Sequence, residues 1–138
     1  MPERSADWLR QAKKDLENAS WEVKGGFFEW ACFSAQQAAE KAIKAVYQKL
    51  GGVAWGHSVY NLLRGLQEKV SVPEELLRVG QKLDRYYIPA RYPNGWEAGI
   101  PHEYFTEEEA REAIRGAGEI IRFCEDLLAG PRRGPEKG

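Results

Sequence analysis

Residues 27–50 read FFEWACFSAQQAAEKAIKAVYQKL, and their pattern predicts a helix that ends at Gly51-Gly52. Small side chains are spread over a wide arc of this helix. They are Ala31, Ala35, Ala38, Ala39, Ala42 and Ala45. Because small side chains let neighbouring helices approach closely, we predict a central helix that is contacted from two sides. On its polar side, we expect Lys41 and Lys44 to be solvated charges.

Helical patterns also occupy most of the remaining chain. A helix is predicted over residues 5–24, with Ser5 as its N-cap and an apolar stripe on one face. The stripe consists of Trp8, Leu9, Ala12, Leu16, Ala19 and Val23. Two shorter helices are predicted over residues 58–69 and 73–86, and the capping box of residues 106–109 indicates the start of a last helix.

No segment has the pattern of a strand, so we predict an all-α protein. Long amphipathic helices joined by short glycine-rich turns are typical of an up-down antiparallel helical bundle, here of four to five helices. We expect residues 1–129 to form one helical domain. Residues 130–138, which are rich in glycine and proline, are predicted to be a disordered tail.

The composition excludes several classes of function. The 138 residues carry a net charge of -1, so the protein as a whole does not attract nucleic acid or anionic lipid. Two histidines are too few for a histidine-rich metal site, and no phosphate-binding glycine loop is present, so we expect no metal and no cofactor. Without a signal segment or an apolar run of membrane-spanning length, the protein is expected to be cytoplasmic, with no membrane contact. Cys32 and Cys124 are then expected to be buried, reduced thiols.

Unusual side chains are concentrated in residues 86–105. This loop contains six of the 16 aromatic residues, and its prolines and glycines are predicted to exclude regular structure. Aromatic and arginine side chains together can stack bases and bind phosphate, or anchor a protein partner. The candidate ligand-binding residues are Arg85, Tyr87, Arg91, Tyr92 and Trp96. The alternative is that Tyr86, Tyr87 and Phe105 simply attach the loop to the bundle.

Three further side chains have both a structural and a functional interpretation. His57 either caps or packs beside the helix that follows it, or it is a titrating group near the same cleft. Trp21 and Trp30 project away from the apolar faces of their helices. They are therefore candidates for an oligomer or partner surface.

Five segments, taken together and in this order, resemble the prokaryotic HEPN domain. They are WLRQAKKDLENA (8–19), FFEWACFSAQQAAEKAIKAVY (27–47), HSVYNLL (57–63), LDRYYIPARYPNG (83–95) and YFTEEEAREAI (104–114). The resemblance extends over about residues 5–128. It implies a HEPN-like bundle of four or five helices that pairs as a homodimer.

The resemblance also implies partners and a candidate chemistry. Such proteins commonly form a complex with a minimal nucleotidyltransferase, often as a toxin–antitoxin pair. Many are ribonucleases whose motif is an arginine, roughly four to six intervening residues and a histidine. Arg91 and His102 are the matching candidates for catalysis, although ten residues separate them here. Tyr104, two positions after His102, matches a tyrosine that the nucleotidyltransferase modifies in some pairs.

Three functions follow as hypotheses. The first is a HEPN-type homodimeric partner of a minimal nucleotidyltransferase that binds nucleotide or RNA phosphate at the loop of residues 86–105. The second is a metal-independent endoribonuclease toxin that uses Arg91 and His102. The third is a pure protein-interaction module.

Overall fold

The computed structural model describes residues 3–130, and within that range it contains five α-helices and no strand. The helices are α1 (Ser5–Lys24), α2 (Phe28–Leu50), α3 (Val59–Leu66), α4 (Glu74–Asp84) and α5 (Glu107–Leu128). The predicted all-α fold is confirmed. The predicted disordered tail lies outside the described residues, except for Gly130.

Contacts between helices give their relative directions. Asp15 of α1 forms an ion pair with Lys41 of α2, whereas Glu22, further along α1, accepts a hydrogen bond from Ser34, earlier on α2. Residue numbers thus rise along α1 where they fall along α2, so the two helices are antiparallel. The same order relates α5 to α4 and the residues directly after it, because Lys82 contacts Glu112 and Tyr86 contacts Glu109.

The centre of the bundle is α2, which contacts α1, α3, α4 and α5. All six alanines of its predicted small-residue face are fully buried. The larger buried side chains around them come from α2 itself and from three other helices. They include Ile43, Leu63, Leu66, Leu83 and Ile120. The central helix predicted from the alanine pattern is therefore confirmed.

Several predicted helix boundaries are wrong by one to three residues. Ser5 is not the N-cap but the first, buried residue of α1, and Arg4 is the cap. Helix α3 ends at Leu66 and α4 ends at Asp84. Helix ends fray and often finish in isolated turns, so a sequence pattern places them poorly.

The loop of residues 86–105 is more regular than predicted. It contains two short 3-10 helices, Pro93–Gly95 and Pro101–Tyr104. Each begins with a proline, whose fixed φ and missing N–H suit the first position of a helical turn. The expectation that prolines exclude all regular structure here is therefore wrong.

The two lysines of α2 are also not the free solvated charges that the pattern predicts. The side chain of Lys44 is 15% exposed and pairs with Glu40. Lys41 is 27% exposed and pairs with Asp15 of α1. Because α2 is central, even its polar side is largely covered by other parts of the chain.

Candidate functional site

Helix α4 ends at Asp84, whose carboxylate binds the beginning of α3. It accepts hydrogen bonds from the hydroxyl of Ser58 and from the backbone N–H of Val59, both at 2.6 Å. The first N–H groups of a helix have no partner inside the helix, and negative charge is favourable at that end. Because His57 directly precedes Ser58, this contact brings His57 next to the segment that follows α4.

Glu40 of α2 is a buried carboxylate with a complete set of hydrogen bonds; its side chain is 6% exposed. Its Oε1 accepts from the side-chain amides of Gln36 and Gln37 at 3.2 and 3.3 Å. Its Oε2 accepts from the ammonium of Lys44 at 2.9 Å and lies 3.0 Å from Nδ1 of His57. A carboxylate has about four acceptor sites, and all four are filled here.

Arg91 lies against three aromatic rings. The guanidinium carbon Cζ is 4.3 Å from the ring centre of Phe33, 4.7 Å from that of Tyr87 and 5.0 Å from that of Tyr92. Its Nε donates a hydrogen bond to the carbonyl of Tyr87 at 2.8 Å. Within residues 3–130, Arg91 forms no ion pair with a carboxylate. Its charge is therefore held in place by cation–π contacts and one backbone bond.

The ring of Tyr87 connects Arg91 with His57. The imidazole of His57 stacks on this ring with centres 4.7 Å apart and planes at 17°. The Arg91 guanidinium carbon is the same distance from the Tyr87 centre. The imidazole and the guanidinium therefore lie no further apart than twice that distance. We call Phe33, Glu40, His57, Tyr87 and Arg91 the Arg91 site.

His102, the other predicted catalytic residue, binds α2 at a separate point. Its Nδ1 lies 2.9 Å from Oε1 of Glu29, a carboxylate whose side chain is 9% exposed. Glu29 and Phe33 are one helical turn apart, so His102 and Arg91 contact adjacent turns of α2. No hydrogen bond joins Arg91 to His102 in the described part of the chain.

The aromatic residues at the end of the loop attach it to the bundle. Trp96 stacks on Tyr104 with centres 3.9 Å apart, and its Nε1 donates to the carbonyl of Pro89 at 2.8 Å. Phe105 is buried and makes edge contacts with Trp96 and Tyr86. Trp96, predicted to bind ligand, thus has a structural role and lies outside the rings around Arg91.

Tyr86 also belongs to this structural group. Its hydroxyl donates to Oε2 of Glu109 at 3.1 Å. Burial raises the pKa of the Tyr86 hydroxyl, and the nearby charge of Glu109 raises it further. The hydroxyl therefore stays neutral, as a structural hydrogen-bond donor does.

Arg85, another predicted ligand-binding residue, lines a groove of about 550 Å³ between the loop, α4 and the start of α5. Lys82 also lines it, together with three carboxylates, Glu108, Glu109 and Glu112. The carboxylates outnumber the cations, so this groove is less favourable to a phosphate group than Arg91 is. Tyr87, Arg91 and Tyr92 do not line this groove.

Three members of the Arg91 site are not among the predicted site residues. In the sequence, Phe33 and Glu40 look like ordinary residues of the α2 pattern. For His57, the sequence does not decide between a structural and a functional role. A usable signal was present: Phe33, Gln37, Glu40 and Lys44 recur at helical spacing on one face. What the sequence could not supply was the contact between that face and the segment after α4.

The two tryptophans predicted for a partner surface are exposed, Trp21 to 62% and Trp30 to 42%. Trp30 makes an edge contact with Phe33 at 6.1 Å and so adjoins the Arg91 site. Trp55, two residues before His57, is 82% exposed. The described residues thus present large apolar side chains near the site.

The described residues offer neither a metal site nor a reactive thiol. Residues 3–130 contain no group of three or more His, Cys, Asp or Glu side chains that could hold a metal ion. Cys32 and Cys124 are buried and unpaired, as predicted, and burial raises the pKa of both thiols. No helix in this range is long and apolar enough to cross a membrane.

Known proteins with similar sequences and structures identify the family. A crystal structure from Thermus thermophilus is 46% identical, with a TM-score of 0.88 over 91% of this chain and 98% of the other. An archaeal HEPN homologue is 38% identical, with a TM-score of 0.78 over 92% and 99% of the two chains. A HEPN domain protein from Thermotoga maritima is 41% identical, with a TM-score of 0.76 over 91% and 99%.

A protein of Methanocaldococcus jannaschii named a "putative toxin" is 28% identical over 130 residues, which cover 88% of this chain and 86% of the relative. The sequence model of the HEPN domain matches residues 5–127. Because this match spans nearly all of the described helices, the chain belongs to the HEPN domain family.

Proposed function

We propose that this protein is the HEPN partner of a minimal nucleotidyltransferase in a toxin–antitoxin-like pair, and that it binds the phosphate of a nucleotide or RNA at Arg91. The observation that carries the proposal is a guanidinium held over three aromatic rings without a carboxylate partner in the described residues. The similarity to the "putative toxin" of M. jannaschii supports the toxin–antitoxin part.

The contacts of Arg91 suit a phosphate ligand. Its side-chain hydrogen bond to Tyr87 uses Nε, so the two terminal amino groups remain for a ligand. A planar guanidinium can donate two parallel hydrogen bonds to phosphate oxygens, which an ammonium cannot match in geometry. Tyr92, 48% exposed beside it, offers a ring on which a base can stack.

Phosphate binding is tested by titrating the whole protein with ATP and with a fluorescently labelled single-stranded 2′-O-methyl RNA. Arg91→Ala should weaken binding at least tenfold. Arg10→Ala is the matched control, because its side chain is 81% exposed on α1, far along the chain from the Arg91 site. Equal affinity of wild type and Arg91→Ala would remove the proposed site. If neither ATP nor RNA bound to the wild type, the protein would be an interaction module.

The exposed tryptophans support a homodimer or a partner complex. Exposed apolar side chains of this size mark association surfaces more often than isolated exposed leucines do. Light scattering after size-exclusion chromatography should give twice the mass of the chain for the wild type. Trp30→Gln should shift the mass towards the monomer, and a wild type that stays monomeric at high concentration would contradict the homodimer.

Tyr104 is the proposed point of modification by the nucleotidyltransferase. Its side chain is 43% exposed, and its hydroxyl donates to the carbonyl of Ala98, a bond that must open for transfer. Co-expression with the proposed nucleotidyltransferase partner should add the mass of a nucleoside monophosphate to the wild type but not to Tyr104→Phe. Tyr92→Phe is the control, since Tyr92 is similarly exposed. Modification that persists in Tyr104→Phe would exclude this residue.

The second candidate function is a metal-independent endoribonuclease that uses Arg91 and His102. Their contacts with adjacent turns of α2 favour it, because the two side chains then lie along one face of that helix. Incubation of RNA with wild type and with Arg91→Ala/His102→Ala, in the presence of EDTA, tests it. Cleavage that is equal in both samples would rule it out.

A further inference from the structure

We propose that His57, oriented by Glu40, is the proton acceptor that acts with Arg91 on the ribose 2′-hydroxyl of a bound RNA. The inference rests on the proposed binding of RNA phosphate at Arg91. The endoribonuclease proposed above uses His102, whereas this inference uses His57, which lies in the connection between α2 and α3.

The hydrogen bonds of Glu40 fix the position of the proton on the His57 ring. Three of its four contacts are with amide or ammonium groups, which can only donate there. The fourth contact is Nδ1 of His57 at 3.0 Å, and a carboxylate of this kind accepts, so Nδ1 carries the hydrogen. Nε2 is then the nitrogen with the lone pair, and the side chain is 55% exposed. A base paired with an orienting carboxylate is the arrangement that general-base catalysis requires.

The shared ring of Tyr87 brings this base near the phosphate-binding group. His57 and Arg91 each lie 4.7 Å from its centre, one as a stacked imidazole and one as a guanidinium. The imidazole and the guanidinium are therefore separated by at most twice 4.7 Å, a span that a phosphodiester and the adjacent ribose hydroxyl can bridge. The ligand that fits must therefore carry both a phosphate and a nearby hydroxyl proton, which RNA has and DNA lacks.

His57 is held firmly enough to act as a base. Its carbonyl accepts from the Gln36 amide at 2.9 Å, and the following residue, Ser58, binds Asp84. Its ring is stacked on Tyr87 and bonded to Glu40. Backbone and side chain are thus both fixed, which limits the reorganisation needed in the reaction.

His102 offers a matched comparison within the same chain. It too binds a buried carboxylate through Nδ1, at 2.9 Å, and its ring is 54% exposed. Within residues 3–130, however, His102 stacks on no ring that also contacts Arg91. The two histidines are therefore alike in exposure and in carboxylate partner, and differ in their connection to the guanidinium.

The proposed step is a transesterification. Nε2 of His57 takes the proton of the 2′-hydroxyl, the 2′-oxygen forms a bond to phosphorus, and the bond from phosphorus to the 5′-oxygen of the next nucleotide breaks. Arg91 stabilises the added negative charge on the phosphate oxygens. The leaving oxygen takes a proton from water, and the imidazolium returns its proton to the resulting hydroxide. The products are a 2′,3′-cyclic phosphate and a 5′-hydroxyl, with no net change in protons.

The test uses the whole protein with a labelled single-stranded RNA and with its 2′-O-methyl copy, which can bind but cannot react. We expect wild type to cleave only the RNA, leaving a cyclic phosphate. His57→Gln should slow cleavage by about 100-fold or more, as the loss of a general base does, with unchanged affinity for the 2′-O-methyl RNA. His102→Gln, tested beside it, distinguishes this step from the candidate function that uses His102. Arg10→Ala, at an exposed position of α1 outside the site, should cleave within about threefold of wild type.

Glu40 is a positioning residue, and its test needs a readout of orientation. In wild type, the ¹⁵N signals of His57 should show the proton on Nδ1. In Glu40→Gln, that preference should weaken and the cleavage rate should fall, while the affinity for the 2′-O-methyl RNA stays the same. Thermal unfolding of each variant separates this effect from a loss of fold.

The outcomes separate the inference from the function on which it rests. If Arg91→Ala binds the 2′-O-methyl RNA as tightly as wild type does, the proposed phosphate site itself fails, and the inference fails with it. If that binding depends on Arg91 but wild type leaves RNA intact, the function survives and the inference is overturned. The inference is also overturned if His102→Gln, rather than His57→Gln, abolishes cleavage.

Discussion

The carboxylate of Asp84 accepts a hydrogen bond from the hydroxyl of Ser58 at 2.6 Å, across 26 residues of chain. A second bond from the N–H of Val59 makes Asp84 an N-terminal cap supplied from another helix. This contact joins the last residue of α4 to the connection that carries His57. The stability of the fold and the geometry of the Arg91 site therefore depend on one carboxylate.

Asp84→Ala should lower the free energy of unfolding by about 1–3 kcal/mol, because it removes a cap and hydrogen bonds to a charged acceptor. It should also weaken RNA binding, since Tyr87, whose ring contacts Arg91, loses its connection to the beginning of α3. Urea denaturation and RNA titration measure the two effects. Asp126→Ala, at an exposed position of α5, should stay within about 0.5 kcal/mol of wild type. Equal stability of Asp84→Ala and wild type would show that the contact does not form in solution.

Arg91→Lys keeps the charge but loses the planar guanidinium and the Nε bond to the Tyr87 carbonyl. We expect about tenfold weaker binding of 2′-O-methyl RNA, which matches a cation–π and bidentate contribution of roughly 1–2 kcal/mol. The salt dependence of binding should be nearly unchanged for Lys, whereas for Ala its slope should fall by about one. Wild-type affinity in Arg91→Lys would mean that charge alone matters and that the aromatic rings contribute nothing.

Gly80 of α4 lies against the backbone of α3, and an added methyl group there should be destabilising. A Cβ at Gly80 would lie 3.1 Å from the backbone nitrogen of Tyr60, closer than such contacts normally come. Overpacking costs typically about 1–3 kcal/mol, against a helix-propensity gain of about 1 kcal/mol, so Gly80→Ala should be less stable by about 1 kcal/mol.

Gly118→Ala is the control for that substitution. A Cβ at this position would be 3.9 Å from Cδ2 of Leu16, an ordinary contact. The helix-propensity gain should then appear in full, as an increase of about 0.5–1 kcal/mol in the free energy of unfolding. If both variants shifted in the same direction, the close approach of α3 and α4 would be incorrect.

Glu22 of α1 makes the free energy of unfolding depend on pH. Burial raises the pKa of its carboxyl, and the charges of Glu29 and Asp15 add to the effect. The folded protein therefore keeps this proton to a higher pH than the unfolded chain does, so the free energy of unfolding falls as the pH rises through that interval. Glu22→Gln should remove this fall and be more stable than wild type above the interval.

Urea denaturation over a pH series measures the effect of Glu22→Gln. Below the ordinary glutamate pKa, wild type carries the proton, and the advantage of the variant should disappear. Glu17→Gln is the control, since that side chain is 59% exposed on the same helix. The prediction would be contradicted if the free energy of unfolding rose with pH more steeply in wild type than in Glu22→Gln.

The fold could be predicted because its main signals are local. The alanines of α2 occupy one broad arc, and a periodic pattern of this kind reports burial directly. The start of α5 was similarly visible, because Thr106 Oγ1 accepts from the N–H of Glu109 as its motif indicates. The prediction that Ser5 is the N-cap was wrong because the sequence does not distinguish a serine that caps a helix from one that is its first residue.

The candidate site could be predicted only in part, because its contacts join distant segments. Arg91 stood out as a cation among aromatic residues, and the structure places it among rings. Its neighbour Phe33, however, lies 58 positions earlier, and the partner of His57 is a glutamate on α2. Such contacts depend on how the helices pack together, and the periodicity within one segment does not predict them.

The order of these segments along the chain has a practical consequence. Residues 51–53, exposed on the surface between α2 and α3, divide the Arg91 site into Phe33 and Glu40 on one side and His57, Tyr87 and Arg91 on the other. Neither fragment obtained by splitting the protein there would contain a whole site. Reassembly of two separately expressed pieces would restore the site and ligand binding together, so the chain has a natural break point for a complementation reporter.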